Sequence, residues 1–206
     1  MDVGDLIGAN NLKRHLVIVD FEATCWEDAP KLQGEREIIE IGAVKIDAIS
    51  LAEAGFFQSF VRPARHPHLS DFCVQLTHIT QKQVDAAPRF PRALSRFVEW
   101  IGDPAEMLFC SWGEYDREQL RQDCAFHQLP YPFADAHVNL KQAFSHYRSG
   151  KPIGVHRALK ALGMNFEGTL HRGLDDARNI ARIYRRMHAD GYWIDDSRLA
   201  IWICDE

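Results

Sequence analysis

The most constraining stretch of the sequence is HLVIVDFEATC, His15 to Cys25. Its apolar, β-branched run, Leu16 to Val19, is typical of a strand buried on both faces near the centre of a sheet. Asp20 and Glu22 follow, and because side chains alternate along a strand they project from one face, ~7 Å apart along the backbone. Adjacent carboxylates at the end of a buried strand need protonation or a cation between them. Hard divalent cations such as Mg²⁺ take such oxygen ligands; the alternative is a solvated pair of acids.

Length and composition place the chain among ordinary globular proteins. Its 206 residues are enough for one good core, so a single domain is expected. Hydrophobic and charged fractions of 46% and 26% exclude disordered and fibrous classes. No apolar run approaches the ~20 residues of a membrane helix, and the N-terminus lacks a basic-then-apolar signal pattern, so no membrane association is expected.

Cysteine usage indicates the redox environment. The five cysteines are odd in number and share no C-x-x-C spacing, which argues against a disulfide framework or a zinc site. Reduced, mostly buried thiols and a cytoplasmic location are therefore expected. The cysteines are Cys25, Cys73, Cys110, Cys124 and Cys204.

The N-terminal third predicts three consecutive strands. After the first come Ile38–Ile46, with Glu40 as its one interior acid, and Phe56–Arg62. Loops too short for a helical crossover join them, so an antiparallel meander is expected. The charged segment Glu27–Glu37 is predicted to be a surface loop, and Leu69–Thr80 shows no clean period.

Strand–helix alternation is predicted for the remainder. An amphipathic helix covers Phe90–Ile101 and ends at Gly102. Predicted strands are Met107–Cys110 and His137–Leu140; predicted helices are Tyr115–His127, Lys141–Tyr147, Val155–Leu162 and Leu174–His188. A meander followed by such units gives an α/β domain with a mixed sheet.

Further acids lie where such sheets assemble their sites. Asp116 follows the fourth predicted strand at the start of a helix. Asp175 and Asp176 fall in the first turn of the last helix, with His171 on the preceding loop, and Gly173 allows the backbone to bend so that His171 and Asp176 address one point. The alternatives are acids favoured by the helix dipole and a solvated loop histidine.

Taken together, these motifs resemble the DEDD-type 3′→5′ exonucleases with a catalytic histidine. The strings VIVDFEATC, EIIEIGAV, FVRP, LSDFCVQLTHIT and HRGLDDARNIA are similar to the enhanced-RNA-interference, or histone-mRNA 3′-end, exonuclease family. The resemblance implies a ribonuclease H-like fold, a five-stranded mixed β-sheet with the first strand central, flanked by helices. It covers residues 15–190, leaving a polar lead-in at 1–14 and a C-terminal extension at 191–206 packed on or beside the domain.

The resemblance implies two divalent metal ions, Mg²⁺ or Mn²⁺, and roles for five residues. Asp20 would bridge the ions, and Glu22 and Asp176 would complete the site that holds the attacking water. Asp116 would help to hold the second ion, beside the leaving oxygen. His171 would be the general base, since an unperturbed pKa of about 6.5 suits that task. Glu40 and Asp175 are expected to support the site or the fold.

Five further residues are implied in substrate binding. Backbone groups of Ala23 and Thr24 would lie near the terminal ribose, and Phe72 and Leu76 would contact the last base. Tyr115 stands where relatives carry Trp, and its ring can still stack on a base. Core packing is the alternative role for Phe72 and Leu76.

Charge bears on the expected partner. A net charge of -5 is unfavourable for nucleic-acid binding. Between Lys141 and Asp190, however, ten basic and four acidic residues give +6, which could track a phosphate backbone or form a solvated helix surface.

The resemblance implies a 3′→5′ exonuclease that would trim single-stranded RNA or RNA overhangs and release nucleoside 5′-monophosphates. The alternatives are a single-stranded DNA or proofreading-type exonuclease and a catalytically inactive nucleic-acid-binding module of the same fold. Because only about 14 residues precede the first strand, recognition of RNA hairpins or small interfering duplexes is not expected. The sequence leaves the oligomeric state open.

Overall fold

Five strands form one mixed sheet in the computed structural model, which describes residues 14–27, 30–133 and 137–192. The strands are β1 (His15–Ala23), β2 (Ile38–Asp47), β3 (Glu53–Phe60), β4 (Met107–Ser111) and β5 (His137–Asn139). The helices are α1 (Asp71–Thr77), α2 (Gln81–Ala86), α3 (Phe90–Ile101), α4 (Tyr115–Phe126), α5 (Leu140–Tyr147), α6 (Val155–Ala161) and α7 (Gly173–Ala189). Two short 3-10 helices cover Pro30–Glu35 and Pro104–Glu106.

The sheet order is β3-β2-β1-β4-β5, with β1 central. Strand β1 pairs antiparallel with β2 and parallel with β4, and β2 pairs antiparallel with β3. The predicted meander and the predicted mixed sheet are therefore confirmed. The central position follows from the apolar run Leu16–Val19, whose four side chains are all buried.

Alternation along β1 divides the core between the two faces of the sheet. Val17, Val19 and Phe21 face the helices α3 and α4. Leu16 and Ile18 face α7, whose apolar stripe covers that side. Burying a large aliphatic or aromatic side chain contributes ~1.5–3 kcal/mol, so both layers hold β1 in place. Asp20 and Glu22 continue the face that α7 covers.

Two segments for which the sequence predicts no strand or helix contain helices. Leu69–Thr80, which shows no clean period, begins with α1 and leads directly into α2. The hydroxyl of Ser70 accepts the Cys73 N–H at 3.0 Å and caps α1, and Thr80 and Gln83 form a capping box on α2. The predicted surface loop Glu27–Glu37 holds the first 3-10 helix.

Boundaries elsewhere agree with prediction to within three residues. The helix predicted at Phe90–Ile101 is confirmed at both ends, whereas β3 begins at Glu53 and not at Phe56. The lead-in 1–14 and the extension 191–206 fall almost entirely outside the described residues. Within the described ranges, every helix is too short or too polar to span a membrane.

Candidate active site

The two acids of β1 lie on the face of the sheet that α7 covers. In the antiparallel register with β2, Asp20 is opposite Gly42 and Glu22 is opposite Glu40. Directly opposed residues of paired strands project from the same face, so Glu22 and Glu40 are neighbours. Both β1 acids are half-buried. The predicted side-by-side placement of Asp20 and Glu22 is therefore what the structure shows.

Helix α7 brings a third carboxylate to this pair. Oxygen atoms of Asp20, Glu22 and Asp176 all lie within 4.8 Å of one another. Asp176 is buried in the first turn of α7, where its Oδ2 accepts the N–H of Arg172 at 3.1 Å and its carboxylate also accepts the N–H of His171. The sequence segments that contribute the three acids are about 150 residues apart, and the helix start unites them.

The approach of α7 depends on two glycines. A Cβ atom on Gly42 would overlap the backbone of Gly173, and a Cβ on Gly173 would lie 2.5 Å from the backbone oxygen of Asp20. Sequence reasoning treated Gly173 only as a bend and did not single out Gly42. A glycine inside an otherwise apolar strand is a signal of close backbone approach.

A partly buried ion pair fixes the same helix end. Arg172 donates from Nε to Oε2 of Glu40 at 3.1 Å, and the Gly173 N–H donates to the same oxygen at 3.2 Å. Gln58 on β3 donates to the other oxygen of Glu40 at 2.6 Å. Glu40 is fully buried, so its charge is compensated by hydrogen bonds on both oxygens. The expected supporting role of Glu40 thus has a structural basis, while Arg172 was not anticipated.

Asp116 lies on the other side of β1, in the first turn of α4. Its Oδ1 accepts the N–H of Phe21 at 2.8 Å, which ties α4 to the backbone between Asp20 and Glu22. The charge of Asp116 helps to raise the pKa of Asp20, so the two carboxylates are close. Among the described residues, however, the group of mutually adjacent acids comprises Asp20, Glu22 and Asp176, without Asp116.

Burial and mutual repulsion make the site costly to ionise. Burial, and then neighbouring acids, raise the pKa of Asp20 and of Glu22 well above the ordinary range. Burial likewise raises the pKa of Asp116 to about 7 and that of Asp176 to about 6. A bound divalent cation offsets both the cost of ionising buried acids and the repulsion between them. Clustered carboxylate oxygens are the ligands that such cations prefer. The residues present therefore fit a divalent metal.

His171 occupies the turn immediately before α7. It has a left-handed backbone, with φ at 59°, and its side chain is at the surface. Partial burial, and next the charge of His78, lower its pKa. The imidazole is therefore neutral at pH 7 and able to accept a proton. The backbone hydrogen bond to Asp176 places the turn at the acidic cluster.

The five predicted substrate residues lie at or just after the end of β1, on α1 and at the start of α4. Ala23 and Thr24 are buried. The Thr24 N–H donates to the Glu37 carbonyl at 2.9 Å, and the Thr24 hydroxyl oxygen accepts the Glu37 N–H at 3.0 Å. Phe72 and Leu76 are half-buried on α1, against the cluster that contains Cys25 and Cys73.

Tyr115 begins α4 and is 45% exposed. It hydrogen-bonds to Arg36 and precedes the Asp116 carboxylate. The charges of Asp116 and Glu22 act on its hydroxyl group, so this side chain lies near the acidic cluster.

Comparison with known proteins agrees with this geometry. The family model described as Exonuclease matches residues 17–184. The 3'-5' exoribonuclease 1 of Rattus norvegicus is 38% identical over 188 residues, which cover 86% of this chain and 54% of the rat protein. The chain spans about half the length of such relatives.

Two solved structures are similar throughout the domain. The nuclease domain of 3'hExo, a DEDDh family member, bound to rAMP, has a TM-score of 0.83 and 35% identity, covering 89% of this chain and 96% of that one. A 3'-exonuclease in a structure of 3'-end specific recognition of histone mRNA stem-loop has a TM-score of 0.82 and 35% identity, covering 88% and 84%. The chain therefore belongs to the exonuclease family, among its DEDDh members.

Proposed function

We propose that the chain is a metal-dependent 3′→5′ exoribonuclease that removes nucleoside 5′-monophosphates from single-stranded RNA 3′ ends. The observation that carries the proposal is the cluster of Asp20, Glu22 and Asp176, whose carboxylate oxygens lie within 4.8 Å of one another. Three adjacent acids that are buried or half-buried and have raised pKa values are suited to binding a cation that assists hydrolysis.

In this proposal Asp20, Glu22 and Asp176 hold one divalent ion, and Asp20 with Asp116 hold a second. Such ions, when bound, supply an activated water and stabilise negative charge on the leaving oxygen. The protein orients these carboxylates: the Phe21 N–H donates to Oδ1 of Asp116 at 2.8 Å and holds that side chain in place.

His171 accepts the proton of the attacking water in this proposal. Its lowered pKa keeps the imidazole neutral at pH 7, as a base requires. Its place at the surface, beside the acidic cluster, leaves it accessible to a water and to the substrate. A positioned general base typically contributes ~10²–10⁴-fold to the rate.

RNA is the proposed substrate because similar proteins are named as exoribonucleases or were solved with a ribonucleotide. Proteins 37–38% identical to this chain are named 3'-5' exoribonuclease 1, and the 3'hExo nuclease domain was solved with rAMP. Phe72, Leu76 and Tyr115 would contact the terminal bases, and the backbone of Ala23 and Thr24 would lie near the terminal ribose. The burial of the described cysteines supports the proposal of a reducing, cytoplasmic location.

The test compares RNA and DNA oligonucleotides of one sequence, labelled at the 5′ or the 3′ end, with Mg²⁺, Mn²⁺ or EDTA. Asp20→Asn removes a proposed metal ligand, and Asp85→Asn, at an exposed acid of α2, is the matched control. We expect 5′-labelled RNA to shorten stepwise, and both EDTA and Asp20→Asn to abolish the shortening.

Other results would lead to other functions. Equal or faster trimming of DNA would favour a DNA or proofreading-type exonuclease. A metal-replete protein that binds the oligonucleotides and cleaves neither would overturn the catalytic proposal and leave a binding module.

A further inference from the structure

The loop that carries His171 has little packing of its own. All residues from Glu167 to His171, here called the histidine loop, are exposed. Gly168 and His171 have left-handed backbones, with φ at 89° and 59°. A solvent-exposed segment with two such residues does not hold one conformation by burial. Its conformation must come from hydrogen bonds to the rest of the protein.

Asn179, in the second turn of α7, supplies the bonds at the start of this loop. Its Oδ1 accepts the N–H of Glu167 at 3.1 Å, and its Nδ2 donates to the Glu167 carbonyl at 2.7 Å. One side chain thus pairs with both backbone polar groups of one loop residue, as a neighbouring strand would. Asn179 is fully buried although its partner is exposed.

The amide of Asn179 is also completely satisfied. Nδ2 makes its second donation to the Asp175 carbonyl at 2.7 Å, and Oδ1 accepts Nη1 of Arg182 at 2.7 Å. An amide side chain has two donor hydrogens and two acceptor sites, and all four are used. Aspartate lacks the donors and would place its charge against two carbonyls, and leucine lacks all four partners. Asparagine is thus specifically required by these contacts.

Two more α7 residues continue the attachment along the loop. The carboxylate of Asp175 accepts the Thr169 N–H at 2.9 Å and lies against Gly168, where a Cβ would be 2.5 Å from it. Asp176 accepts the backbone N–H of His171. Start, middle and end of the histidine loop are therefore each bonded to α7.

We propose that Asn179 is a positioning residue that fixes the histidine loop on α7 and thereby holds His171 at the carboxylate cluster. The inference rests on the proposed function, because it gives His171 a role in the reaction. Asn179 itself touches no substrate; it acts through the loop. Loss of its bonds frees the loop start and lets the imidazole leave its productive place.

The test measures kcat and KM for Asn179→Ala, Asn179→Asp, His171→Asn and the two double variants. Asp85→Asn, at an exposed acid of α2 far from this loop in the sequence, is the control. Because a base contributes ~10²–10⁴-fold, we expect either Asn179 change to lower kcat by about 10- to 100-fold with KM within about two-fold. In the His171→Asn background the same changes should have less than about two-fold effect on kcat. Asp85→Asn should leave kcat unchanged.

Amide hydrogen exchange provides a readout independent of catalysis. We expect the N–H groups of Glu167 and Thr169 to exchange faster in Asn179→Ala, with helix α3 unchanged. Should Asn179→Ala fail to fold, Asp175→Ala, at a half-buried position, tests the same attachment through Thr169.

Wild-type kcat in the Asn179 variants, or effects that multiply fully with His171→Asn, would overturn the positioning role. An inactive wild-type protein would instead overturn the proposed function, and unchanged exchange at Glu167 would still reject the attachment by Asn179.

Discussion

Gly42 on β2 and Gly173 at the start of α7 pack backbone against backbone. A Cβ atom on Gly42 would overlap the backbone of Gly173, and a Cβ atom on Gly173 would crowd the backbone of Gly42. The Cβ atom on Gly173 would also approach the backbone oxygen of Asp20 to 2.5 Å. This contact sets the height of the first helical turn above the sheet. It is the reason that Asp176 reaches the carboxylates of Asp20 and Glu22.

Gly42→Ala is expected to destabilise the protein. The added methyl group meets backbone, which cannot rotate away, and overpacking of this kind costs ~1–3 kcal/mol or more in free energy of unfolding. Urea denaturation measures the loss. Gly34→Ala, where no atom of the described residues apart from the chain neighbours lies within 4 Å of the added Cβ, should change stability little. Equal stability of the two variants would show that α7 has room to move.

Arg172→Ala is expected to be more harmful than loss of a surface arginine. It leaves the carboxylate of Glu40, which is fully buried, without its ion-pair partner, and such a loss typically costs ~3–5 kcal/mol. Arg178→Ala is the control, because Arg178 pairs with Glu53 only at 3.9 Å and at the surface. Denaturation midpoints check the difference, and adding Glu40→Gln to Arg172→Ala should recover part of the stability. No recovery would mean that the uncompensated charge is not the cause.

Much of the fold follows from local sequence patterns. Helix α3 was predicted at both ends because its apolar face recurs with the helical period and Gly102 follows it. Helices α1 and α2 were missed because seven and six residues are too few for a period to show. Their signals were instead the caps, Ser70 and the Thr80–Gln83 capping box.

The site was predictable where chemistry is local and not where it is long-range. The pairing of Asp20 with Glu22 follows from alternation along one strand. The contact of Asp116 with the Phe21 N–H joins residues 95 positions apart, and no local pattern encodes it. The same holds for Asn179, which a helical period marks only as a polar residue beside the apolar stripe, although tertiary contacts bury it completely.

Phe72→Ala is expected to weaken substrate binding more than it weakens the fold. The ring is half-buried at the edge of its cluster, and loss of base stacking costs ~1–3 kcal/mol, which corresponds to a rise in KM of about 5- to 150-fold. Steady-state kinetics on RNA, with denaturation of the same variant, separate the two effects. Phe126→Ala, at a 42% exposed ring on α4, is the comparison. A variant with unchanged KM and lowered stability would assign Phe72 to core packing.

The acidic cluster should make the metal-free protein less stable as pH rises. Burial raises the pKa of Asp116 to about 7 and of Asp176 to about 6, whereas an aspartate in an unfolded chain has a pKa of ~3.9. The folded protein thus retains protons that the unfolded chain has released. The resulting stability is complete below pH ~4 and is lost as the pH rises through about 6 to 7. In EDTA the melting temperature should therefore fall across this range.

Mg²⁺ should reverse this dependence, because the cation binds the deprotonated carboxylates and its affinity rises with pH. Asp116→Asn separates the site from the rest of the protein: its amide oxygen can still accept the Phe21 N–H, but it carries no charge. In EDTA at about pH 8 this variant should melt above wild type and show a shallower fall, while Asp85→Asn should follow wild type. A pH-independent melting temperature in EDTA, or an Asp116→Asn protein that melts below wild type, would show that ionisation of these acids does not destabilise the folded protein.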